Sequence, residues 1–453
     1  MITKLEIDGF KTFENFQIEF SPFVVIAGAN GSGKSNLFDA ILLLSSLAQT
    51  DIKTAFQEQR GSQSELFTQY PDGSYAQSMR FGVELLLDRA VSDNWGNTKT
   101  LDYTRFKYCL EISCIEKKGL EQLYMTYEEL TPIMPNSDEW YQRYVGEAVW
   151  QPKINPEPNR AFIKTLSQLD NQVIFLYPEN LGMAQPLKHR AEEAKQTVLS
   201  SVNNTTFPHV FAVREEMRHW KCLQLNPVTL RQPSAIQVNG LIGMDGSNLP
   251  TTIALRAADD PFFMTDLSRE INNLLPSVVS LSIEKDKHFD QYVLVSTSPD
   301  GSQFSSHVLS EGSLRLIALC TFKLDSLHKG VLCLEEPENG IHPFKLENML
   351  QLLRDLATDF QDESESEIPL RQLIVNTHSP VLIANLFKHS NINCQIFYAM
   401  LFSRIRKQHS LKLTQMIPVT AQHSDITEIV QKVTLSEVKR YLETQVINQD
   451  CKE

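Results

Sequence analysis

The stretch GANGSGKS, residues 28–35, meets the pattern GxxxxGK[ST] at every position. Its glycines let the backbone curl until successive N–H groups face one anion, and the helix that must start there adds the positive end of its dipole. Such a loop demands an apolar strand before it and a helix after it. Both are legible: FVVIAGAN reads as a buried strand, and Lys34–Leu47 carries apolar residues at helical spacing. Asn30, Gly31, Ser32 and Gly33, with Lys34, Ser35 and Asn36 at the helix start, are the candidate nucleotide contacts. Lys34 is expected to reach the β- and γ-phosphate oxygens of ATP, and the Ser35 hydroxyl to join a Mg²⁺ shell.

Hydrolysis of a bound triphosphate needs a carboxylate at the metal and another to polarise water. Val331-Leu-Cys-Leu-Glu335-Glu336 supplies an apolar strand ending in two acids. Neighbouring residues at a strand end point to opposite sides, which assigns Glu335 to the metal and Glu336 to the attacking water. The next apolar strand ends in Asn376-Thr-His378-Ser-Pro380. At the ligand edge of an open α/β sheet, His378 is placed to hydrogen-bond the γ-phosphate or the attacking water. LSEGSLRLIAL, 309–319, is a second Ser-x-Gly helix start. Ser310 through Ser313 offers a hydroxyl and free N–H groups, which is another anion site, almost 300 residues from the first. One chain has no evident need for two such sites on one triphosphate.

Around these motifs the chain reads as α/β, with strands and helices alternating about the phosphate loop. ITKLEIDGF and FENFQIEF precede the loop strand, and MRFGVELLLD, FKYCLEISCIE and QLYMTYEEL predict an antiparallel sub-sheet. Prolines at 132, 135, 152, 156 and 158 mark a soft boundary. Helices are expected near 185–201, 209–222, 248–257 and 263–274, strands at VVSLSIEK and QYVLVSTS, a hairpin at FYAMLFSR and LKLTQMIP, and an amphipathic helix from His423. The expected organisation is an ATPase lobe over 1–150, an inserted mainly helical region over 151–277 that docks a partner, a second ATPase lobe over 278–415, and a C-terminal helix and tail over 416–453. No heptad pattern is sustained, so long coiled-coil arms are not expected.

Composition narrows the function classes. A net charge of −13 argues against a surface that coats nucleic acid, whose affinity comes from Lys and Arg neutralising phosphates. Seven cysteines without a CxxC pair fit reduced thiols. No apolar run approaches the ~18–20 residues that cross a bilayer, and MITKLEIDGF lacks the pattern of an export signal, so a cytoplasmic protein without a membrane partner is expected.

Taken in order, these pieces resemble the ATP-binding-cassette heads of the SMC/RecF class, and in particular their compact OLD-type relatives in bacterial defence. LEIDGFKTFENFQIEF resembles the two-strand opening of that class, GANGSGKSN its Walker A loop, LSEGSLR its signature, LCLEEPE its Walker B strand, ENGIHP its D-loop region and VNTHSP its switch histidine. The matches cover about 1–50 and 300–390. The resemblance implies that Lys11 or Phe13 lies near the α-phosphate or base, and that Ser310 and Gly312 close over the γ-phosphate of a facing subunit. It thus implies a homo-oligomer, at least a dimer, closing head-to-tail on ATP and Mg²⁺. It further implies control of a protein effector such as a nuclease or toxin in anti-phage defence. The alternative it offers is a RecF-like clamp on DNA in repair or chromosome maintenance. The chain departs from the family pattern in carrying Glu335 where aspartate is usual and Glu311 where glycine is commonest. Its glutamine loop has weak candidates in Gln57, Gln59 and Gln63, or falls after the first sheet. The final segment forms no DxD cluster, so a nuclease in cis is not expected.

Overall fold

The structure is a computed structural model. It describes residues 1–117, 119–134, 138–145, 161–168, 171–179, 185–237, 241–362, 364, 368–388, 394–406, 409–420, 433–434 and 438. Of the stretch where a helix is expected from His423, only Val433–Thr434 and Val438 are described, and Val433–Thr434 is a short strand.

The central sheet has seven strands, in the order Lys221–Leu223, Gly330–Glu335, Arg371–Thr377, Phe23–Ala27, Gln395–Arg406, His409–Thr420 and Val433–Thr434. The first five run parallel, and the sixth turns back antiparallel as a hairpin with the fifth. Every residue of Phe23–Ala27 and of Arg371–Thr377 is buried. Such unbroken apolar strands suit a parallel sheet covered on both faces. Their two-residue period sorts the side chains into two cores. Val24, Ile26, Val331, Cys333 and Ile374 join Leu37, Phe38, Ile41 and Leu44 of the helix Lys34–Leu47 on one face. Phe23, Val25, Leu332, Leu334, Leu373 and Val375 join Leu316, Ile317, Met349 and Leu353 of later helices on the other. Burying each such side chain contributes about 1.5–3 kcal/mol, so these strands are fixed in register and face.

The first core is roofed by an eight-stranded antiparallel sheet, in the order Leu187–Arg190, Asn171–Leu176, Ile163–Gln168, Leu120–Pro132, Arg105–Lys117, Ser78–Leu86, Ile2–Asp8 and Phe16–Glu19. Gln372 stitches the two sheets. Its Oε1 accepts from Ile2 N at 2.8 Å, while its Nε2 donates to Ile2 O at 2.7 Å and Ser21 O at 3.0 Å. A small sheet built from Ser280–Asp286, Gln291–Thr297 and two shorter strands, with the helices Leu249–Asp259 and Phe263–Leu274, leads into the helix Glu311–Leu324.

The helices expected near 248–257 and 263–274 are present. The one expected over 185–201 is not. Leu187–Arg190 is an edge strand of the large sheet, and only the short turns Ala191–Glu193 and Val198–Ser201 are helical. The mixed charges of KHRAEEAK suit a solvent-facing sheet edge as well as a helix face, because charged side chains keep an edge from pairing further. The large sheet thus runs on past residue 150, and the expected first lobe and inserted region share it.

Candidate nucleotide site

Four parallel strands deliver their carboxyl ends to one edge. Leu223 pairs with Leu334, Glu335 with Asn376, and Thr377 with Ala27. The residues that follow, Gln224, Glu336, His378 and Gly28, therefore stand side by side, where open α/β sheets bind ligands.

The loop curls as the sequence requires. Gly28 N donates to Thr377 O at 3.3 Å, and Gly33 sits at φ +93°, the left-handed region that glycine enters without strain. Asn30 and Gly31 are exposed, whereas Ser32 and Lys34 are buried. The Lys34 Nζ folds back on the loop, donating to Gly28 O at 2.6 Å and Ala29 O at 2.9 Å. Burial lowers its ammonium to about 8, while Glu336, Glu335 and Glu338 pull the other way by favouring the charged form. A triphosphate selects charged Lys34, so its affinity should be flat near about pH 7. Above about pH 8 it should weaken by up to about tenfold per pH unit, because binding must then take up a proton. Titrating ATP across that range checks the sign, and a profile flat to about pH 9.5 would contradict it.

Glu336 follows the acidic strand at φ +46°, a left-handed conformation that costs a non-glycine residue roughly 1–3 kcal/mol. Its surroundings hold it there. Glu336 N donates to Asn376 O at 3.0 Å, His378 Nδ1 lies 2.8 Å from its Oε1, and Asn339 Nδ2 donates to its Oε2 at 2.8 Å. With the carboxylate ionised, His378 Nδ1 carries the proton and its Nε2 is left for another partner. Glu338, two residues on, accepts from Thr377 Oγ1 through Oε1, and its Oε2 is buried without a partner. Burial raises its carboxyl above the usual range. Among the described residues there is no group of three His, Cys, Asp or Glu set to cage a metal. Mg²⁺ needs none here, since it takes one or two protein oxygens and fills its octahedron with phosphates and waters. The hydroxyl of Ser35 and the carboxylate of Glu335 are hard oxygen donors of that kind.

The structure thus gathers Lys34, Glu335, Glu336 and His378 at one sheet edge, and the Ser310 turn packs against the turn at Gly340 that follows the acidic strand. Ser310 is exposed and caps its helix, its Oγ accepting from Ser313 N at 3.2 Å. Among the described residues, none of the hydrogen bonds of Ser310 or Ser313 reaches the phosphate loop of the same chain. Gly312 is buried because the turn of Gly340 passes over it: a Cβ there would lie 2.4 Å from Gly340 O. Glu311, the departure from the usual glycine, pairs with Arg315 at 2.8 Å.

Two residues implied by the resemblance are otherwise engaged. Phe13 is fully buried in the first core, its ring centroid 4.4 Å from that of Phe16, and presents no face to a base. Lys11 is bound to Asp39 on the helix Lys34–Leu47, Nζ to Oδ2 at 2.6 Å, and Arg60 holds the other carboxylate oxygen at 2.8 Å. Asn36 donates to Thr12 Oγ1 at 2.8 Å, behind the loop. Two residues went unassigned in the sequence. Gln224, next to the acidic strand, shares a 220 Å³ cavity with Asp39, Arg60 and Glu335; its only signal is the short KCLQ run. Glu338 was visible as the third acid of EEPE. Of the weak glutamine candidates, Gln59 is buried, and its side chain turns back to Ala55 O.

A phosphate loop, an acidic strand and a histidine strand ordered in one parallel sheet, under a large antiparallel sheet, define a P-loop ATPase fold. A family model described as "AAA domain, putative AbiEii toxin, Type IV TA system" matches residues 23–384, and the chain belongs to that family. No curated protein matches it. Among solved structures it is similar to the SMC head bound to the C-winged helix domain of ScpA, at 16 % identity and TM-score 0.45, over 91 % of this chain and 98 % of that one. It is also similar to the SMC head domain from Thermotoga maritima, at 14 % identity and TM-score 0.39, over 92 % and 99 %. The Pyrococcus furiosus SMC head with an extended coiled coil, bound to the C-terminal domain of ScpA, gives 13 % identity and TM-score 0.44, over 100 % and 99 %. At these scores the likeness is distant, and the fold stands on its strand order. Among the described residues, no helix is long and apolar enough to cross a membrane.

Proposed function

We propose that the chain is an ATP-hydrolysing switch whose sites are completed between two copies. Lys34 and the loop amides hold the β- and γ-phosphates of one ATP, with Ser35 and Glu335 as the protein ligands of Mg²⁺. Glu336, oriented by His378 and Asn339, takes the proton of the attacking water, and Gln224 stands beside Glu335 as the glutamine of the site. The far side of the triphosphate is covered by Ser310–Ser313 of the facing copy. One observation carries this reading: Ser310 is exposed at the start of its helix, and none of the described hydrogen bonds of Ser310 or Ser313 turns to the loop of their own chain. Exposed apolar side chains flank the same face, with Val308 68 % and Phe344 91 % accessible, as an assembly that buries them on closing requires. ATP would contact both copies and ADP mostly one, so hydrolysis shifts the population from closed to open.

The family description, a putative toxin of a type IV toxin–antitoxin system, supports a role in defence in which the closed state controls an effector such as a toxin or nuclease. The small sheet and paired helices ahead of Glu311 are the surface through which that control would reach the signature turn. Light scattering with Mg²⁺ and ATP should show the mass double, and with ADP it should not, while phosphate is released. Turnover by a protein that stays monomeric throughout would refute closure between copies.

A further inference from the structure

We propose that Thr414, on the terminal hairpin, is a positioning residue that sets the direction of a phosphate-facing amide in the loop. This rests on the nucleotide reading above. Thr414 lies about 380 residues from the loop in sequence and is buried against it. Its hydroxyl donates to Ser32 O at 3.3 Å and lies 2.7 Å from Thr12 Oγ1, which in turn accepts from Asn36 Nδ2 at 2.8 Å. The strand is also fixed by its backbone, Thr414 N donating to Thr12 O at 2.9 Å. A Cβ on Gly33 would fall 1.9 Å from Thr414 Oγ1, so the hydroxyl occupies the space that this glycine leaves open.

The consequence follows from peptide geometry. In a planar trans peptide the C=O and the next N–H point in opposite directions. Holding the Ser32 carbonyl outward against Thr414 therefore turns the Gly33 N–H inward, to the concave side where phosphate binds. Without the hydroxyl this peptide unit is free to rotate, and part of the affinity is spent on turning it back. The loop's shape is thus set partly from the C-terminal hairpin, by a residue no local motif reveals.

Thr414→Val keeps the shape and the backbone bond to Thr12 and removes only the hydroxyl; Thr414→Ser keeps the hydroxyl and removes a methyl. Calorimetric titration with MgATP should show Kd raised about tenfold in the valine variant, the equivalent of one net hydrogen bond. The serine variant should stay within about twofold of the parent, and circular dichroism should show all three folded at the titration temperature. A valine variant that binds like the parent overturns the proposal. So does an equal loss in both variants, which would mark Thr414 as packing. Should valine not fold, Thr414→Ala set against Thr414→Ser makes the same comparison. If the parent itself binds no ATP, the nucleotide reading has failed and this inference falls with it.

Discussion

Lys34→Ala should abolish nucleotide binding, raising the Kd for MgATP by at least about 100-fold. Each charge-assisted hydrogen bond is worth about 1.5–3 kcal/mol, and the proposed role gives the ammonium one to each of two phosphates. The Nζ rests on the carbonyls of Gly28 and Ala29, and its burial lowers the ammonium to about 8. A triphosphate arriving in the loop replaces those carbonyls with anionic oxygens, which is why affinity concentrates in this one side chain. The fold does not depend on it, since the helix Lys34–Leu47 is anchored by Leu37, Phe38, Ile41 and Leu44. Calorimetry for binding and circular dichroism for the fold separate the two effects. A Kd within about threefold of the parent would remove the P-loop from the account.

Glu336→Gln should leave ATP binding intact and lower turnover about 10²–10⁴-fold, the usual worth of a positioned general base. Glutamine has the same shape and meets the same backbone demand at φ +46°, but it cannot take a proton from water. The hydrogen bonds also discriminate. The carboxylate accepts from Asn339 Nδ2 through one oxygen and from His378 Nδ1 through the other. An amide can satisfy only one of them with oxygen and turns an NH₂ toward the second donor. His378 should then lose its fixed orientation, deepening the defect. Unable to hydrolyse, the variant should accumulate the closed, ATP-bound assembly, visible as a stable doubled mass in size-exclusion chromatography with ATP. Phosphate release at the parental rate would show that another group activates the water, with Glu338 the nearest alternative.

The parts of the site legible in the sequence are those in which one continuous segment carries both the chemistry and its support. The loop at 28–35, Glu335 and Glu336 at the end of an all-apolar run, and His378 at the end of another each announce strand and ligand edge together. The buried strands of the α/β sheet were readable for the same reason, since strands buried on both faces have no polar alternation to confuse with a surface helix. What escaped depends on pairing between distant segments. Lys221–Leu223 is three residues long, and it becomes the strand that carries Gln224 to the site only because it pairs with Gly330–Glu335. Leu187–Arg190 is a strand by virtue of pairing with Asn171–Leu176, and its own residues are mostly polar. The resemblance implied Lys11 or Phe13 near the α-phosphate or base, yet Phe13 stands where the first core is apolar and closed, and Lys11 is paired with Asp39. Thr414 bears on the loop through a hydroxyl that no periodicity could point to.

Complementation between two inactive variants tests most directly whether each triphosphate is shared. Lys34→Ala destroys the near side of a site, and Ser310→Arg, which places a bulky side chain on the exposed cap, destroys the far side. Neither should hydrolyse ATP alone. When mixed, two-fold symmetry gives each heterodimer one site built from the intact loop of one copy and the intact serine turn of the other. Random pairing should therefore restore about a quarter of the parental turnover. A mixture as inactive as its components, while size analysis shows that they do pair, would mean that each chain's site is complete in itself.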